Sequence, residues 1–256
     1  MIQARHVVRI AGATLVGGLL VVFGLWGWER SVPAYRHLAV GMRLAGQYKP
    51  AAALSEFRRA VDKEPRYVEA RWAVAYQLWC LKRFDEAIAE CHSALAIDPR
   101  HTRSRVTLAL ALRSEGRWDE AIAEHRKAVE IDPGSCWARD HLCSTLLLAG
   151  RLDESVAECR RGIRLAPRYF FFWMTLAHAL HKQGKLDEAI AACGQAQRID
   201  WFGAGSERAR LLYAKGDYAG AWREVHWLRP RRAFPLGDRD KEFLAKLQSR
   251  MAEPKQ

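Results

Sequence analysis

Residues 84–91 read FDEAIAEC, 118–125 read WDEAIAEH, 152–159 read LDESVAEC and 186–193 read LDEAIAAC. Each octet starts 34 residues after the one before, and Pro65, Pro99, Pro133 and Pro167 keep the same period, with Trp201 next in the series. A fixed period of this length marks stacked supersecondary units, none of which buries its apolar face alone. Each octet opens on an acidic pair (Asp85-Glu86, Asp119-Glu120, Asp153-Glu154, Asp187-Glu188), which suits the positive end of a helix dipole. Each proline halts the helix that began there. Gly116, Gly150 and Gly184 stand just before three of the octets, where left-handed backbone ends a preceding helix. The chain is therefore all-α, built of helical hairpins at residues 34–67, 68–101, 102–135, 136–169 and 170–203.

This register resembles the tetratricopeptide-repeat (TPR) family. That motif asks for a small residue at position eight, glycine at fifteen, an aromatic or leucine at seventeen, small residues at twenty and twenty-seven, and proline at thirty-two. The third repeat supplies all of them: Ala109, Gly116, Trp118, Ala121, Ala128 and Pro133. The second has Ala75, Phe84, Ala87, Ala94 and Pro99, with Lys82 in place of glycine. The fourth and fifth keep Gly150 and Gly184 and substitute Cys143, Ser155, Gly162 and Trp201. The first repeat is weaker, and its Gly46-Gln47-Tyr48 reads as a turn two residues early, lengthened around Pro50. Small residues at eight, twenty and twenty-seven let neighbouring helices approach closely, which supports the resemblance on packing grounds.

After residue 203 the register slips by two. Gly216-Asp217-Tyr218-Ala219-Gly220-Ala221-Trp222 is the turn and second helix of a degenerate sixth repeat over 204–229. Residues 230–256 are a basic, proline-containing linker and then a helix, Lys241 to Met251, with Phe243, Leu244 and Leu247 on one face. A solenoid needs such a capping helix over its last open face.

At the other end, residues 1–9 form a short tail. Ile10 to Trp28 are nineteen residues without a charge, long enough at 1.5 Å each to approach the ~30 Å of a bilayer core. The expectation is a transmembrane helix over 10–28 and a single-pass membrane protein. A cleaved signal peptide is the rival reading, since Val32-Pro33-Ala34 offers small residues, but its core typically runs only about 7–15 residues. Arginines on both sides leave the orientation open, with a lean towards an extracytoplasmic body because long domains cross largely regardless of charge.

The 41 lysines and arginines outnumber 29 acidic residues, a net charge of +12, which favours acidic partners, anionic headgroups or nucleic acid. No run of five or more like charges occurs, so nucleic acid is not expected as a partner. No G-x-S-x-G, phosphate loop, H-E-x-x-H or paired zinc spacing is present, and the chain reads as a non-enzyme with no cofactor and no metal. Of the six cysteines, Cys91, Cys159 and Cys193 share position twenty-four with His125. Equivalent positions in stacked hairpins are on the order of 20 Å apart, beyond disulfide or metal-ligand reach, so these read as buried thiols and a packed ring. Cys136 and Cys143, seven apart on one face, are about 10 Å apart along the axis and too far to bridge.

In the family that this sequence resembles, first helices line a concave groove through positions two, five, six, nine, twelve and thirteen. Those places hold Trp72, Tyr76 and Trp79; Arg103, Leu110 and Arg113; Trp137, Asp140 and His141; and Phe171, Met174, His178, His181 and Lys182. The resemblance thus implies a membrane-tethered scaffold or adaptor that binds a partner peptide or helix in an aromatic groove. Its alternative is a structural subunit of a permanent membrane-associated complex or a homo-oligomer. Leu38, Met42 and Ala73 stand where a carboxylate clamp needs polar residues, which argues against binding of chaperone tails.

Overall fold

A computed structural model describes residues 32–199, 201–228 and 238–252. Among them are thirteen helices and no strand: α1 Ala34–Gly46, α2 Pro50–Lys63, α3 Val68–Cys80, α4 Phe84–Ile97, α5 Thr102–Ser114, α6 Trp118–Ile131, α7 Cys136–Leu148, α8 Leu152–Leu165, α9 Phe170–Lys182, α10 Leu186–Ile199, α11 Trp201–Lys215, α12 Tyr218–Leu228 and α13 Asp238–Ala252. The bounds of α1 to α10 repeat every 34 residues without a slip. The first turn is therefore not lengthened: Tyr48 holds the turn position with φ +57, as Lys82 does with φ +61 and Gly116, Gly150 and Gly184 do with φ +77 to +78. Pro50 opens α2 at its first position, where its missing N–H costs nothing.

The described residues hold no helix long and apolar enough to cross a membrane. Their helices run 11 to 15 residues, about 17–23 Å, and spend their apolar faces on one another. The reading as a single-pass membrane protein is corrected on this finding; residues 10–28 lie outside the described residues, as does the linker Pro230 to Gly237.

The chain divides into two compact units, residues 1–107 and 108–256. In the first, α1 packs on α2, α2 on α3 and α3 on α4. In the second, each helix from α6 to α13 packs on the next, and α7 also meets α9. Within a hairpin, position eight faces position twenty-four. Gly41 makes room for Phe57, whose ring a Cβ would overlap, and the buried Cys143 and Cys159 thiols neighbour each other. Between hairpins, position twenty-seven faces position three of the next: Gly162 accepts the Phe172 ring, which again leaves no space for a Cβ. Elsewhere both places are small and fully buried, as at Ala60, Ala70, Ala94, Ser104, Ala128 and Ala138.

Two polar devices repeat with the period. The proline carbonyl that ends each second helix accepts a hydrogen bond from position four of the next repeat: Arg71 Nε to Pro65 at 2.7 Å, Arg105 Nη2 to Pro99 at 2.7 Å, Arg139 Nη2 to Pro133 at 3.1 Å and Trp173 Nε1 to Pro167 at 2.8 Å. Arginine at position twenty-five also pairs with glutamate at position nineteen of the next repeat: Arg58 with Glu86 at 3.5 Å, Arg126 with Glu154 at 2.5 Å and Arg160 with Glu188 at 3.3 Å. These pairs are exposed and worth at most about 1 kcal/mol each, so they set register more than stability. All six cysteines are free thiols, four of them buried.

Candidate partner-binding surfaces

In the first unit, Trp72, Tyr76 and Trp79 lie at i, i+4 and i+7 of α3 and so share one face. Their rings form a tilted ladder, with centroids 6.0 Å apart between Trp72 and Tyr76 and 5.7 Å between Tyr76 and Trp79. The Trp72 indole N–H donates to Thr107 Oγ1 at 3.1 Å, and the Arg103 guanidinium lies 5.1 Å from the Trp72 ring centroid, within cation–π range. The sequence named Arg103 from its register alone, and it joins the ladder. Tyr76 is 37% exposed; burial of the rest, with the neighbouring Cys80 thiol, raises its phenol, so the hydroxyl stays neutral and able to donate.

In the second unit the predicted residues fall into two groups. Around α7, Trp137 stands edge-on to His141 at 5.1 Å, and His141 stacks on His125 at 6.0 Å with ring planes 9° apart. Arg113 Nη1 reaches Thr145 Oγ1 at 3.4 Å. Burial pushes Asp140 up to about 6, against the pull of Arg113, while burial and then Arg113 push His141 down to about 4. His125 is fully buried with neither ring nitrogen hydrogen-bonded, and burial, His141 and Arg113 hold it neutral. On α9, Phe171 is 55% exposed and flanked by Tyr169 and Phe170, each 5.6 Å away. His178 lies 3.6 Å from Glu207, His181 and Lys182 follow on the same helix, both exposed, and Met174 packs against the core.

Leu110 is a correction. It is only 2% exposed and belongs to the core, because its turn of α5 faces neighbouring helices instead of solvent. Tyr169 and Phe170, which widen the aromatic patch around Phe171, escaped a reading confined to fixed first-helix positions; the run Tyr169-Phe170-Phe171-Phe172 was the available signal.

Family models described as tetratricopeptide repeat match residues 78–135 and residues 38–102 and 144–204, together more than half of the chain. No curated protein matches it. Among solved structures, the thermophilic TPR protein TTC0263 of Thermus thermophilus is 21% identical with a TM-score of 0.60, over 70% of this chain and 99% of that one. PilF of Pseudomonas aeruginosa is 18% identical with a TM-score of 0.67, over 85% of this chain and 99% of that one. YrrB, described as a TPR protein with an unusual peptide-binding site, is 16% identical with a TM-score of 0.53, over 70% and 90%. At these identities the likeness carries the fold, and fold and family models agree: the chain belongs to the tetratricopeptide-repeat family.

Proposed function

We propose that this protein is a non-catalytic adaptor that captures an apolar, acidic segment of a partner protein on the aromatic faces of its first helices. Members of this family bind protein or peptide partners, and the relative YrrB is described by its peptide-binding site. The observation that carries the reading is the Trp72-Tyr76-Trp79 ladder with Arg103 at its edge, since aromatic and arginine anchors supply most interface energy. Phe171 with Tyr169 and Phe170 is a second anchor of the same kind.

The acidic character follows from how charge divides between the helices. The first helices α1, α3, α5, α7, α9 and α11 hold eleven arginines and lysines against three acidic residues, whereas the second helices α2, α4, α6, α8, α10 and α12 hold ten against fifteen. Of those three acids, Glu69 lies 2.7 Å from His101 and Glu207 lies 3.3 Å from Arg210. The third, Asp140, feels the charge of half-buried Arg113, whereas exposed Arg103 and Lys182 form no ion pair among the described residues, which leaves these two to steer an acidic segment.

The test is a partner captured by the full chain and then titrated against variants whose helicity is checked in parallel. Tyr76→Ala or Phe171→Ala is expected to cost about 2 kcal/mol, roughly thirtyfold in Kd, and association should weaken as salt rises. Glu90→Ala or Glu124→Ala on the second helices should change little. A well-folded Tyr76→Ala, Phe171→Ala double variant that binds like wild type would move the site off these helices. Sedimentation that finds only a fixed oligomer would favour a permanent structural subunit instead.

A further inference from the structure

A cavity of about 490 Å³ opens in the second unit between α10, α11 and α12, lined by Gln197, Arg208, Leu212, Asp217, Gly220, Arg223 and Glu224. Its origin is legible in the repeat. At three other joints an arginine at position twenty-five meets a glutamate at position nineteen of the next repeat. Here position twenty-five is Gly194. Allowing for the two-residue slip, position nineteen is Gly220. Both halves of the ion pair are missing from the chain at this one place, and the cavity, which Gly220 lines, opens beside it.

The polar groups around that space are unevenly committed. Glu224 accepts from Arg208 Nη1 at 2.5 Å and from Gln197 Nε2 at 3.1 Å. Asp217 accepts from the Gly220 N–H at 2.7 Å and so caps α12; a Cβ at Gly220 would overlap that carboxylate, which is why glycine stands there. Arg208 Nη1 also reaches Gln197 Oε1 at 3.2 Å, but its Nε–H is buried without a partner. Arg223 is exposed, with no partner among the described residues. The lining carries two cations and two acids, but both acids are engaged within the chain, and the uncommitted groups are Arg223 and the Arg208 Nε–H.

We infer that this cavity is a binding site for a carboxylate, which restores from outside the acidic half of the ion pair that the other joints carry internally. Arg223 and the Arg208 Nε–H are its donors, since guanidinium groups match carboxylate geometry. A volume of this size admits a side chain or a chain end. The site is separate from the aromatic faces of the first helices and does not depend on them.

The experiment follows the amides of Gly194, Gly216 and Gly220 in glycine-labelled full-length protein by NMR during titration. N-acetyl-glutamic acid amide presents a side-chain carboxylate, N-acetyl-alanine presents a chain-end carboxylate, and N-acetyl-glutamine amide is the uncharged control. Saturable shifts with a carboxylate probe and none with the control are expected, and the probe that acts identifies the source. Arg223→Ala, an exposed change, should weaken binding about tenfold. Gly194→Leu, whose Cβ meets only Arg208 Nε at 3.9 Å, should weaken it further by covering that donor. No saturation with either carboxylate, equal shifts with the control, or undiminished binding by a folded Gly194→Leu variant overturns the inference.

Discussion

His125 is the residue whose chemistry sits least well with its surroundings. Cys91, Cys159 and Cys193 take the same place in neighbouring repeats, fully buried and asking little of it, because a thiol is a small hydrophobe. His125 instead buries two ring nitrogens without partners, at about 1–3 kcal/mol per orphaned polar group. Replacing it by cysteine removes that cost and leaves a partial void, so His125→Cys is expected to raise stability by about 1 kcal/mol, read from a denaturation midpoint. The pH dependence has a definite sign. His125 and His141 are depressed below 6.5 in the folded state, so the unfolded chain binds their protons first and stability falls as pH drops from about 6.5 towards 4. Asp140, raised from 3.8 to about 6, acts oppositely: its contribution is present at low pH and is lost as pH rises through 6. Asp140 and His141 largely offset each other, which leaves His125 to set the acid slope, and the cysteine variant should flatten it. Nothing in the repeat register announces this strain, because position counting identifies a buried ring but not whether its nitrogens find partners. Nor does the register reveal the contact of Cys143 with Cys159, since comparing equivalent positions across repeats overlooks the pairing of positions eight and twenty-four within one.

At the scale of an element, the turn inside each hairpin carries the information. The 34-residue period, the helix ends and the acidic first turns were legible because each rests on local chemistry that one residue states: proline, glycine, or an Asp-Glu pair. The first turn differs from its sequence reading because its left-handed residue is not Gly46 but Tyr48, a residue type rarely found at positive φ. Geometry imposed by the packed helices overrode local preference there, and it does so again at Lys82. Lys82→Gly relieves left-handed strain of about 1–2 kcal/mol and returns part of it as unfolded-chain entropy. A gain of about 0.5–1 kcal/mol is expected in denaturant titration, with helicity unchanged. The aromatic faces are legible as surface positions in the register, which leaves Leu110, like Trp72, open between groove and core, since burial on that turn depends on which neighbours arrive.

Across the whole molecule, the repeated devices look interchangeable: the proline-carbonyl bonds and the Arg–Glu pairs recur with the same offsets, so one joint resembles another. The match of Gly162 to Phe172 breaks that equivalence. Gene rearrangements in repeat proteins add or drop whole units, and excising residues 136–169 would place Glu188 opposite Arg126 and Trp173 beside the Pro133 carbonyl, preserving both polar devices. It would also bring Phe172 against Ala128, whose Cβ occupies the space that Gly162 leaves empty. The excised protein is therefore expected to unfold at lower denaturant than the full chain, and adding Ala128→Gly should recover much of the loss. That single pairing of bulk with emptiness acts as an address label, fixing which repeat follows which and restricting the lengths to which this array can be shortened by recombination.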